Sequence, residues 1–424
     1  MAMTMPTRDG VRRVAVLAYH SSPLEEPGVG DAGGMGVYVR AVAAAHAAAG
    51  IHTDIFTRAT SRLGGTVKVS PRVRVIEIGG GPRQRLPKEV LPQYIPEFAS
   101  NLKAFAATQH ITYDVLHSHY WQSGLAGLPL RRAWNASLVH SQHTLGLVKN
   151  RHLPAGDSPE PEARIRGEER VIRDADVLIA STDDEWQQLS CLYGAGHDRL
   201  KTVHPGVDHS TFKPGDRAAA RDRYGLPGDE PVLLCVGRIQ PLKGLEVALE
   251  ATAELIRFLK RDVTLVIVGG PSGAAGERYL ERLRKRAVDL GLQERVRFIG
   301  PRPRADLPDF YRAAEALVVC SRYESFGLTA LEAQACGVPV VGAAVGGLTH
   351  VVRNGVSGWI VGDSRPQAYA RTLASLLTDE ARHRSFSEAA VVAARGFTWR
   401  RTGEELLELY DCLVRASAPE VCTC

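Results

Sequence analysis

The stretch Glu324-Ser-Phe-Gly-Leu-Thr-Ala-Leu-Glu332 decides how the second half of this chain folds. It follows an apolar run at residues 316–320, which has the length of a buried strand, and residues 328–336 have the pattern of a helix that stops at Gly337. A strand that turns through a glycine into a helix is the repeating unit of a parallel α/β sheet, and ligands bind at the edge where such turns lie. The stretch therefore predicts a doubly wound domain with a ligand site at this turn.

The same stretch carries groups suited to a nucleotide sugar. Gly327 lets a ligand approach the backbone, and the free amides of the first helical turn form an anion site. Glu332 can accept two hydrogen bonds from a ribose, and Glu324 can do so from a sugar ring. The alternative is an ordinary helix start with an acidic residue near its positive end, which would explain one glutamate but not both.

A second loop places two cations at the end of another predicted strand. In Val236-Gly-Arg-Ile-Gln-Pro-Leu-Lys-Gly244, Arg238 and Lys243 lie where cations can clamp a diphosphate and stabilise the charge that grows as it leaves. Solvated basic side chains on a loop are the alternative. The nearby pair of glutamates favours the diphosphate clamp.

On either side of these loops, the chain contains two successive series of alternating strands and helices. This pattern predicts two Rossmann-like domains in series with a cleft between them. We expect domains at residues 1–207 and 208–399, joined at a turn-rich stretch, residues 205–216, with a final helix at about 400–416 packing back on the first domain. The predicted strands are residues 14–19, 53–57, 73–78, 115–118, 138–142, 176–180, 232–236, 263–268, 296–299, 316–320 and 338–342.

Composition excludes several classes of protein. The 424 residues carry a net charge of only +5, which is too small to indicate a nucleic-acid partner or an anionic membrane. No apolar run approaches membrane-spanning length, and the first ten residues lack the core of a signal peptide, so we expect a cytoplasmic protein. Cys422 and Cys424 form a C-x-C motif, for which a frayed terminus is favoured over a metal or redox site. Five further cysteines in apolar contexts are interpreted as buried thiols, Cys191, Cys235, Cys320, Cys336 and Cys412.

Two motifs match the sequence patterns of a dinucleotide site and of a metal site, but neither is interpreted as such a site. Residues 28–33 satisfy G-x-G-x-x-G, but residues 21–27 separate them from the strand, so a dinucleotide site with Asp54 on the ribose is not favoured. Gly33 and Gly34 are instead expected to bend the backbone toward an anion. Asp174-Ala-Asp176 lies where a helix passes into a strand and is expected to be structural, so no metal site is predicted.

Taken together, these residues resemble the GT4 family of retaining glycosyltransferases over residues 13–410. Within the family the chain is most similar to the branch that starts mycothiol synthesis by glycosylating D-inositol 3-phosphate. The likeness is carried by strings of matching residues, Ser22-Pro-Leu24, Gly30-Asp-Ala-Gly-Gly-Met35, Thr57-Arg-Ala-Thr60, His117-Ser-His-Tyr-Trp121, His143-Thr-Leu145 and Glu162-Ala-Arg164. The resemblance implies the GT-B fold, two Rossmann-like domains facing across a cleft.

The resemblance also implies roles at the donor. Arg238 and Lys243 would hold the diphosphate, Glu332 the ribose, Arg302 the edge of the base, and His143 the transferred sugar. The donor would be a nucleoside diphosphate sugar, by likeness UDP-linked. The other implied donor contacts are Gly33, Gly34, Glu324, Ser325, Phe326, Gly327 and Leu328.

For the acceptor, the resemblance implies a phosphate held by Lys88, Tyr120, Thr144 and Arg164. The chain departs from the family at one acceptor residue, because Gly36 stands where the mycothiol enzymes carry an asparagine that touches the acceptor ring. The phosphate contacts would then be kept while the ring changes. His20, Ser21 and Met35 are further expected acceptor contacts.

The expected activity is a retaining transfer of a hexose or N-acetylhexosamine to a phosphorylated cyclitol such as inositol phosphate. No tightly bound cofactor, no magnesium, no nucleic acid and no integral membrane contact are expected, and a homodimer is possible. The alternatives are the same chemistry on another phosphorylated cyclitol or sugar of secondary metabolism, a nucleotide-sugar epimerase, or a module that binds a nucleotide sugar without turnover.

Overall fold

A computed structural model describes residues 10–28, 32–61, 64–154, 158–272 and 276–417. The N-terminal half forms an eight-stranded sheet of order β3-β4-β2-β1-β5-β6-β7-β8, in which β3 is antiparallel to β4 and the other pairs are parallel. Its strands are β1 (Arg13–Leu17), β2 (His52–Arg58), β3 (Thr66–Ser70), β4 (Val73–Ile78), β5 (Val115–His119), β6 (Ser137–Ser141), β7 (Val177–Ala180) and β8 (Leu200–Thr202). Its helices are α1 (Gly34–Ala48), α2 (Ile95–Thr108), α3 (Trp121–Trp134), α4 (Gly146–Arg151), α5 (Glu162–Asp174) and α6 (Asp183–Tyr193).

The C-terminal half forms a six-stranded parallel sheet of order β11-β10-β9-β12-β13-β14. Its strands are β9 (Val232–Val236), β10 (Thr264–Val268), β11 (Val296–Gly300), β12 (Ala316–Val319), β13 (Val340–Ala343) and β14 (Gly358–Val361). The helices are α7 (Arg217–Tyr224), α8 (Leu245–Leu259), α9 (Gly276–Asp289), α10 (Leu307–Ala313), α11 (Leu328–Ala335), α12 (Leu348–Val351), α13 (Pro366–Leu377), α14 (Glu380–Ala394) and α15 (Trp399–Ser417).

Apart from the exposed edge strand β3, each sheet is buried on both faces. In β1, Ala15 and Leu17 belong to the core on one side, and Val14 and Val16 belong to the core on the other. The strands of the second sheet alternate in the same way. Burial on both faces explains why their sequences are continuous apolar runs, as parallel sheets covered by helices require. The fold class predicted from the sequence is confirmed.

The chain crosses between the two halves twice, and the two crossings touch. Val207 forms a parallel bridge with Thr398, and the Thr402 hydroxyl donates to the His204 carbonyl at 2.7 Å. The first crossing is shorter than the linker predicted at residues 205–216, because Phe212 is already fully buried in the core of the second half. The domain bounds themselves stay a prediction.

After the second crossing, α15 lies across α1 and completes the core of the first sheet. A Cβ on Gly403 would lie 2.4 Å from the Cβ of Ala45, so the two helices touch through a glycine. Leu406 and Tyr410 of α15 are fully buried, and the Tyr410 hydroxyl lies 2.5 Å from Nδ1 of His117.

Two of the five cysteines interpreted as buried are not. Cys235, Cys320 and Cys336 are buried, but Cys191 and Cys412 are exposed. Cys412 follows the buried Tyr410 by two helical residues, which places it on the opposite side of α15. The apolar neighbours of Cys412 belong to the other face of an amphipathic helix, so local composition was misleading there. Cys422 and Cys424 lie outside the described residues.

The acidic residues Asp54 and Asp176, which the two motifs offered as ligand groups, have protein partners instead. Arg74 donates to both oxygens of the buried Asp54, at 2.7 and 2.6 Å. Asp176 accepts from the Leu138 amide at 2.8 Å. Residues 29–31 of the glycine motif lie outside the described part of the chain.

Candidate functional site

A cavity of about 330 Å³ opens between the carboxyl ends of the two sheets. Its lining includes every site residue predicted from the sequence except Gly36. A Cβ at Gly36 would face the Cα of Pro23 at 3.6 Å. The ends of parallel strands meet at one edge, and that topology gathers residues that lie far apart in sequence.

At the end of β9, the Arg238–Lys243 loop faces the loop after β12. Lys243 Nζ lies 2.5 Å from Oε2 of Glu324, and the Ser321 hydroxyl donates to the same oxygen at 3.3 Å. Glu324 is therefore held in place by a cation and a hydroxyl. Arg238 approaches the opposite half, since a Cβ on Gly33 would lie 3.6 Å from its Nε.

Two helix N-termini face each other across the cavity. Gly33 precedes α1 and Gly327 precedes α11, and a Cβ on Gly34 would lie 3.1 Å from Cδ1 of Leu328. Gly327 has a φ of +96°, which favours glycine. Unpaired amides and aligned helix dipoles attract anions at such ends. Together with Arg238 and Lys243, they form a strongly anion-binding centre.

Glu332 on α11 is 3% exposed and has two protein partners. Tyr311 donates its hydroxyl to Oε2 at 2.8 Å, and Nη1 of Arg304 lies 2.7 Å from Oε1. These contacts fix the carboxylate at the cavity wall. Arg304 also lines the cavity but was missed from the sequence, which singled out the neighbouring Arg302, an exposed residue of the rim.

The loop between Glu324 and Gly327 rests directly on a second loop. The Gly347 amide donates to the Glu324 carbonyl at 2.9 Å. A Cβ on Gly347 would lie 2.3 Å from Cα of Phe326, and one on Gly346 would lie 2.1 Å from the Glu324 oxygen. The two glycines therefore set the position of the whole anion-binding turn.

We expect Gly347→Ala to weaken diphosphate binding at this turn by roughly 10- to 100-fold, because the added methyl must push Phe326 and its neighbours out of place. The φ of Gly347 is −61°, so alanine suffers no backbone strain and the clash acts alone. The dissociation constant of UDP, measured by calorimetry, tests this. Gly362→Ala is the matched control, since a Cβ there meets nothing within 4 Å. Equal affinities of the two variants would contradict the prediction.

His143 links the two halves at the centre of the cavity. It has a φ of +62°, its Nε2 lies 2.9 Å from Nδ1 of His119, and its carbonyl accepts from the Ser325 hydroxyl at 2.6 Å. Burial is the main reason that its pKa is lowered to about 3. The imidazole is thus neutral at pH 7 and suited to hydrogen bonding with a neutral ligand group rather than to charge stabilisation.

The buried histidines around His143 predict acid sensitivity. Burial lowers the pKa of His46 and of His140 to about 4, against about 6.5 in an unfolded chain. The unfolded state therefore binds more protons below pH 6.5, and stability falls as pH falls. We expect a loss of about 2 kcal/mol for each such histidine between pH 6.5 and 5, measured by urea unfolding. His140→Asn keeps a partner for Ser118 and should flatten this slope. An unchanged slope would contradict the prediction.

At the far end of the cavity lies a cation-rich corner beside β5 and β6. Nη2 of Arg164 donates to Oγ1 of Thr144 at 2.9 Å, and its guanidinium carbon lies 5.2 Å from the centre of the Tyr120 ring. His20 packs against the other part of Tyr120, with ring centres 4.4 Å apart. Lys88 lines the same corner. The residues implied by the family resemblance therefore lie together.

Lys149 lines this corner as well and was missed. It lies on α4, five residues after Thr144, and no motif marks it. Lys149 lies beside Arg164 because α4 packs against α5 in the folded chain.

Within the described ranges, no helix is both long enough and apolar enough to cross a bilayer. Nor do the described side chains include a group of three or more His, Cys, Asp or Glu residues placed to hold a metal ion.

Both halves of the chain are similar to known glycosyltransferases. Residues 216–391 match the family model "Glycosyl transferases group 1", and residues 33–206 match "Glycosyl transferase 4-like domain". The chain is 48% identical over 407 residues to D-inositol 3-phosphate glycosyltransferase 2 of Catenulispora acidiphila, covering 94% of this chain and 95% of that protein. It is 45% identical over 415 residues to the D-inositol 3-phosphate glycosyltransferase of Kribbella flavida, covering 97% and 98%.

Among solved structures, sucrose-phosphate synthase from Thermosynechococcus elongatus is similar, with a TM-score of 0.88, 32% identity, and coverage of 96% of this chain and all of that one. The two sheets, the cleft between them and relatives that match almost end to end lead to one conclusion. The chain belongs to the GT4 family of glycosyltransferases and has the GT-B fold.

Proposed function

We propose that this glycosyltransferase moves N-acetylglucosamine from UDP-N-acetylglucosamine to an inositol phosphate, with retention at the anomeric carbon. The observation that carries the proposal is that two separate groups of cations, one from each half of the chain, line one cavity. Arg238 and Lys243 lie on the second half, and Lys88 and Arg164 lie on the first. A donor diphosphate and an acceptor phosphate need such a pair of sites. The names of the 45–48% identical relatives support inositol phosphate as the acceptor.

In this proposal the donor lies along the C-terminal half. Its diphosphate contacts Arg238, Lys243 and the amides at the start of α11, where the helix dipole adds to the cationic charge. Glu332 accepts hydrogen bonds from the ribose, and Glu324 accepts them from the sugar. Because Lys243 and Ser321 hold Glu324 in place, it positions the sugar and does not attack it.

Transfer then breaks one bond and forms another on the same face of the sugar. The bond from the anomeric carbon to the diphosphate oxygen breaks, and the acceptor hydroxyl oxygen bonds to that carbon. The proton of the hydroxyl passes to an oxygen of the departing diphosphate. The negative charge grows on the diphosphate as it leaves, so preorganised cations stabilise the transition state more than the ground state. The cations and the helix amides supply this stabilisation without a protein-bound magnesium ion.

Incubating the protein with UDP-sugars and a panel of cyclitol phosphates, with products identified by mass spectrometry and NMR of the anomeric proton, tests the proposal. We expect a glycosylated inositol phosphate with the donor's anomeric configuration, formed in equal yield in EDTA. An epimerase would consume no acceptor, and a binding module would release no UDP. An inverted product, or transfer only to uncharged acceptors, would refute the proposal.

A second candidate is the same chemistry on a different phosphorylated ring. Gly36 favours it, because glycine offers no side-chain group to the acceptor. A Cβ added at Gly36 would lie 3.6 Å from Cα of Pro23, an ordinary van der Waals distance, so Gly36→Asn meets no clash at its first side-chain carbon. If the natural ring differs from inositol, Gly36→Asn should raise kcat/KM for inositol phosphate relative to the other cyclitol phosphates.

A further inference from the structure

The cation-rich corner contains two carboxylates as well as three cations. We call the five residues Lys88, Lys149, Arg164, Glu160 and Glu168 the charged corner. Glu168 is fully buried and is held by Nε of Arg164 at 2.7 Å and by the Gly146 amide. Glu160 pairs through Oε2 with Nη1 of Arg164 at 2.9 Å, and through Oε1 with Lys149. The corner therefore carries one net positive charge before any ligand enters.

Arg164 has few hydrogens left for a ligand. A guanidinium has five N–H donors. One on Nε goes to Glu168, two on Nη2 go to the carbonyl and the hydroxyl of Thr144, at 3.1 and 2.9 Å, and one on Nη1 goes to Glu160. A single N–H remains. The Thr144 hydroxyl accepts from Arg164, so its own hydrogen is free to point into the cavity. Arg164 thus supplies charge and orients Thr144, and further donors must come from elsewhere.

Lys149 is one of these further donors. Its side chain is 23% exposed and lines the cavity, whereas that of Arg164 is 4% exposed. An ammonium on a flexible stem can rotate from one anion to another, which the fixed guanidinium cannot do. Its partner stays ionised: burial works against the charge, but Arg164 and Lys149 lower the pKa of Glu160 to about 2. Lys149 is therefore paired with the ionised Glu160 carboxylate, and a ligand of higher negative charge can displace that carboxylate.

We propose that Lys149 binds the acceptor phosphate directly and that Glu160 is its resident counter-ion, so that the site selects a phosphate monoester dianion over a monoanion. The inference rests on the proposed function, since it needs a phosphorylated acceptor. A phosphate monoester carries about two negative charges at neutral pH and outcompetes one carboxylate for Lys149. A phosphodiester carries one charge and gains little by the exchange. Glu160 keeps its bond to Arg164, so the carboxylate is not left unpaired in the bound state.

The experiment uses the full chain with UDP-N-acetylglucosamine and two acceptors, inositol 3-phosphate and inositol 3-(methyl phosphate), which is the monoanionic diester of the same ring. Lys149→Gln should raise the KM of the monoester about tenfold or more, because a charged hydrogen bond is lost, while the dissociation constant of UDP changes less than twofold. Lys103→Gln removes an exposed lysine of the same half and is the matched control. Thermal melting confirms that each variant is folded.

Glu160→Gln gives the second readout. Without its counter-ion, Lys149 can bind a monoanion as readily as a dianion. In Glu160→Gln, kcat/KM for the monoester divided by kcat/KM for the diester should therefore be about tenfold lower than in the wild type. A merely structural role for Glu160 would change both acceptors in parallel.

The outcomes separate this inference from the proposed function. If Lys149→Gln behaves like Lys103→Gln while Arg164→Lys raises the monoester KM, the phosphate site stands and the role of Lys149 is refuted. A Glu160→Gln ratio equal to that of the wild type refutes the counter-ion role. If the wild type uses no phosphorylated acceptor at all, the proposed function and this inference both fail.

Discussion

Lys243→Met is expected to lower kcat by about 100- to 1000-fold, with a smaller effect on the KM of the donor. The ammonium lies 2.5 Å from Glu324 at the edge of the anion-binding centre, where the proposed mechanism places the charge that grows on the departing diphosphate. Methionine keeps the length and the apolar stem of the side chain but removes the charge. Steady-state kinetics with UDP-N-acetylglucosamine and inositol phosphate measure the change.

The control for this variant is Lys213→Met, which removes an exposed lysine from the same half of the chain. Its kcat should stay within twofold of the wild-type value. A Lys243→Met enzyme that keeps a third of its kcat would show that the leaving group is stabilised by other groups, and the mechanism proposed above would need a different cation.

Arg164→Ala is expected to lower the free energy of unfolding by about 3–5 kcal/mol, because it leaves the fully buried Glu168 without its cation. Urea denaturation measures the loss. Arg166→Ala, two residues along the same helix, is the control: it breaks an exposed pair with Glu162 and should cost at most about 0.5 kcal/mol. Equal losses would contradict the prediction.

This result bears on how acceptor binding is tested. Loss of acceptor affinity in Arg164→Ala would mix a lost phosphate contact with a disturbed fold. The double variant Arg164→Met with Glu168→Gln removes both buried charges, and we expect it to recover much of the stability but not the acceptor affinity. Recovery of both would show that Arg164 acts on the fold alone.

Much of the fold could be predicted because burial leaves a direct mark on sequence. The predicted strands at residues 73–78 and 232–236 agree with β4 and β9 at both ends. In contrast, β3 is an exposed edge strand whose Val67 and Val69 are both half exposed, so it lacks the apolar signal of the others. An edge strand paired on one side only needs no such pattern.

Helix α3 shows why other elements escape prediction. It contains Gly124, Gly127 and Pro129, all poor helix formers. A Cβ on Gly124 would lie 2.5 Å from a methyl group of Val171 on α5, so the glycine is required by close packing between helices. Tertiary contact overrides local preference there.

The candidate site likewise has one part that the sequence predicts and another that it does not. Arg238, Lys243, Glu324 and Glu332 lie at the ends of strands and in the helix that follows, where topology alone predicts a ligand. The charged corner draws its residues from α4, α5 and the segment between them and from loops around Lys88, and no short motif unites them. The family resemblance indicated two members of the charged corner, Lys88 and Arg164, and their neighbours Tyr120 and Thr144. Lys149, and Arg304 beside Glu332, required the structure.

The contact between α1 and α15 makes the core of the first half depend on residues that are synthesised after the second half. Leu406 and Tyr410 fill the core beside β1 and β5, yet the whole six-stranded sheet precedes them in the sequence. The first half of the chain therefore waits with one apolar surface uncovered while the second half is made and folds. A fragment ending before Trp399 should accordingly be prone to aggregate, because this apolar surface would stay uncovered.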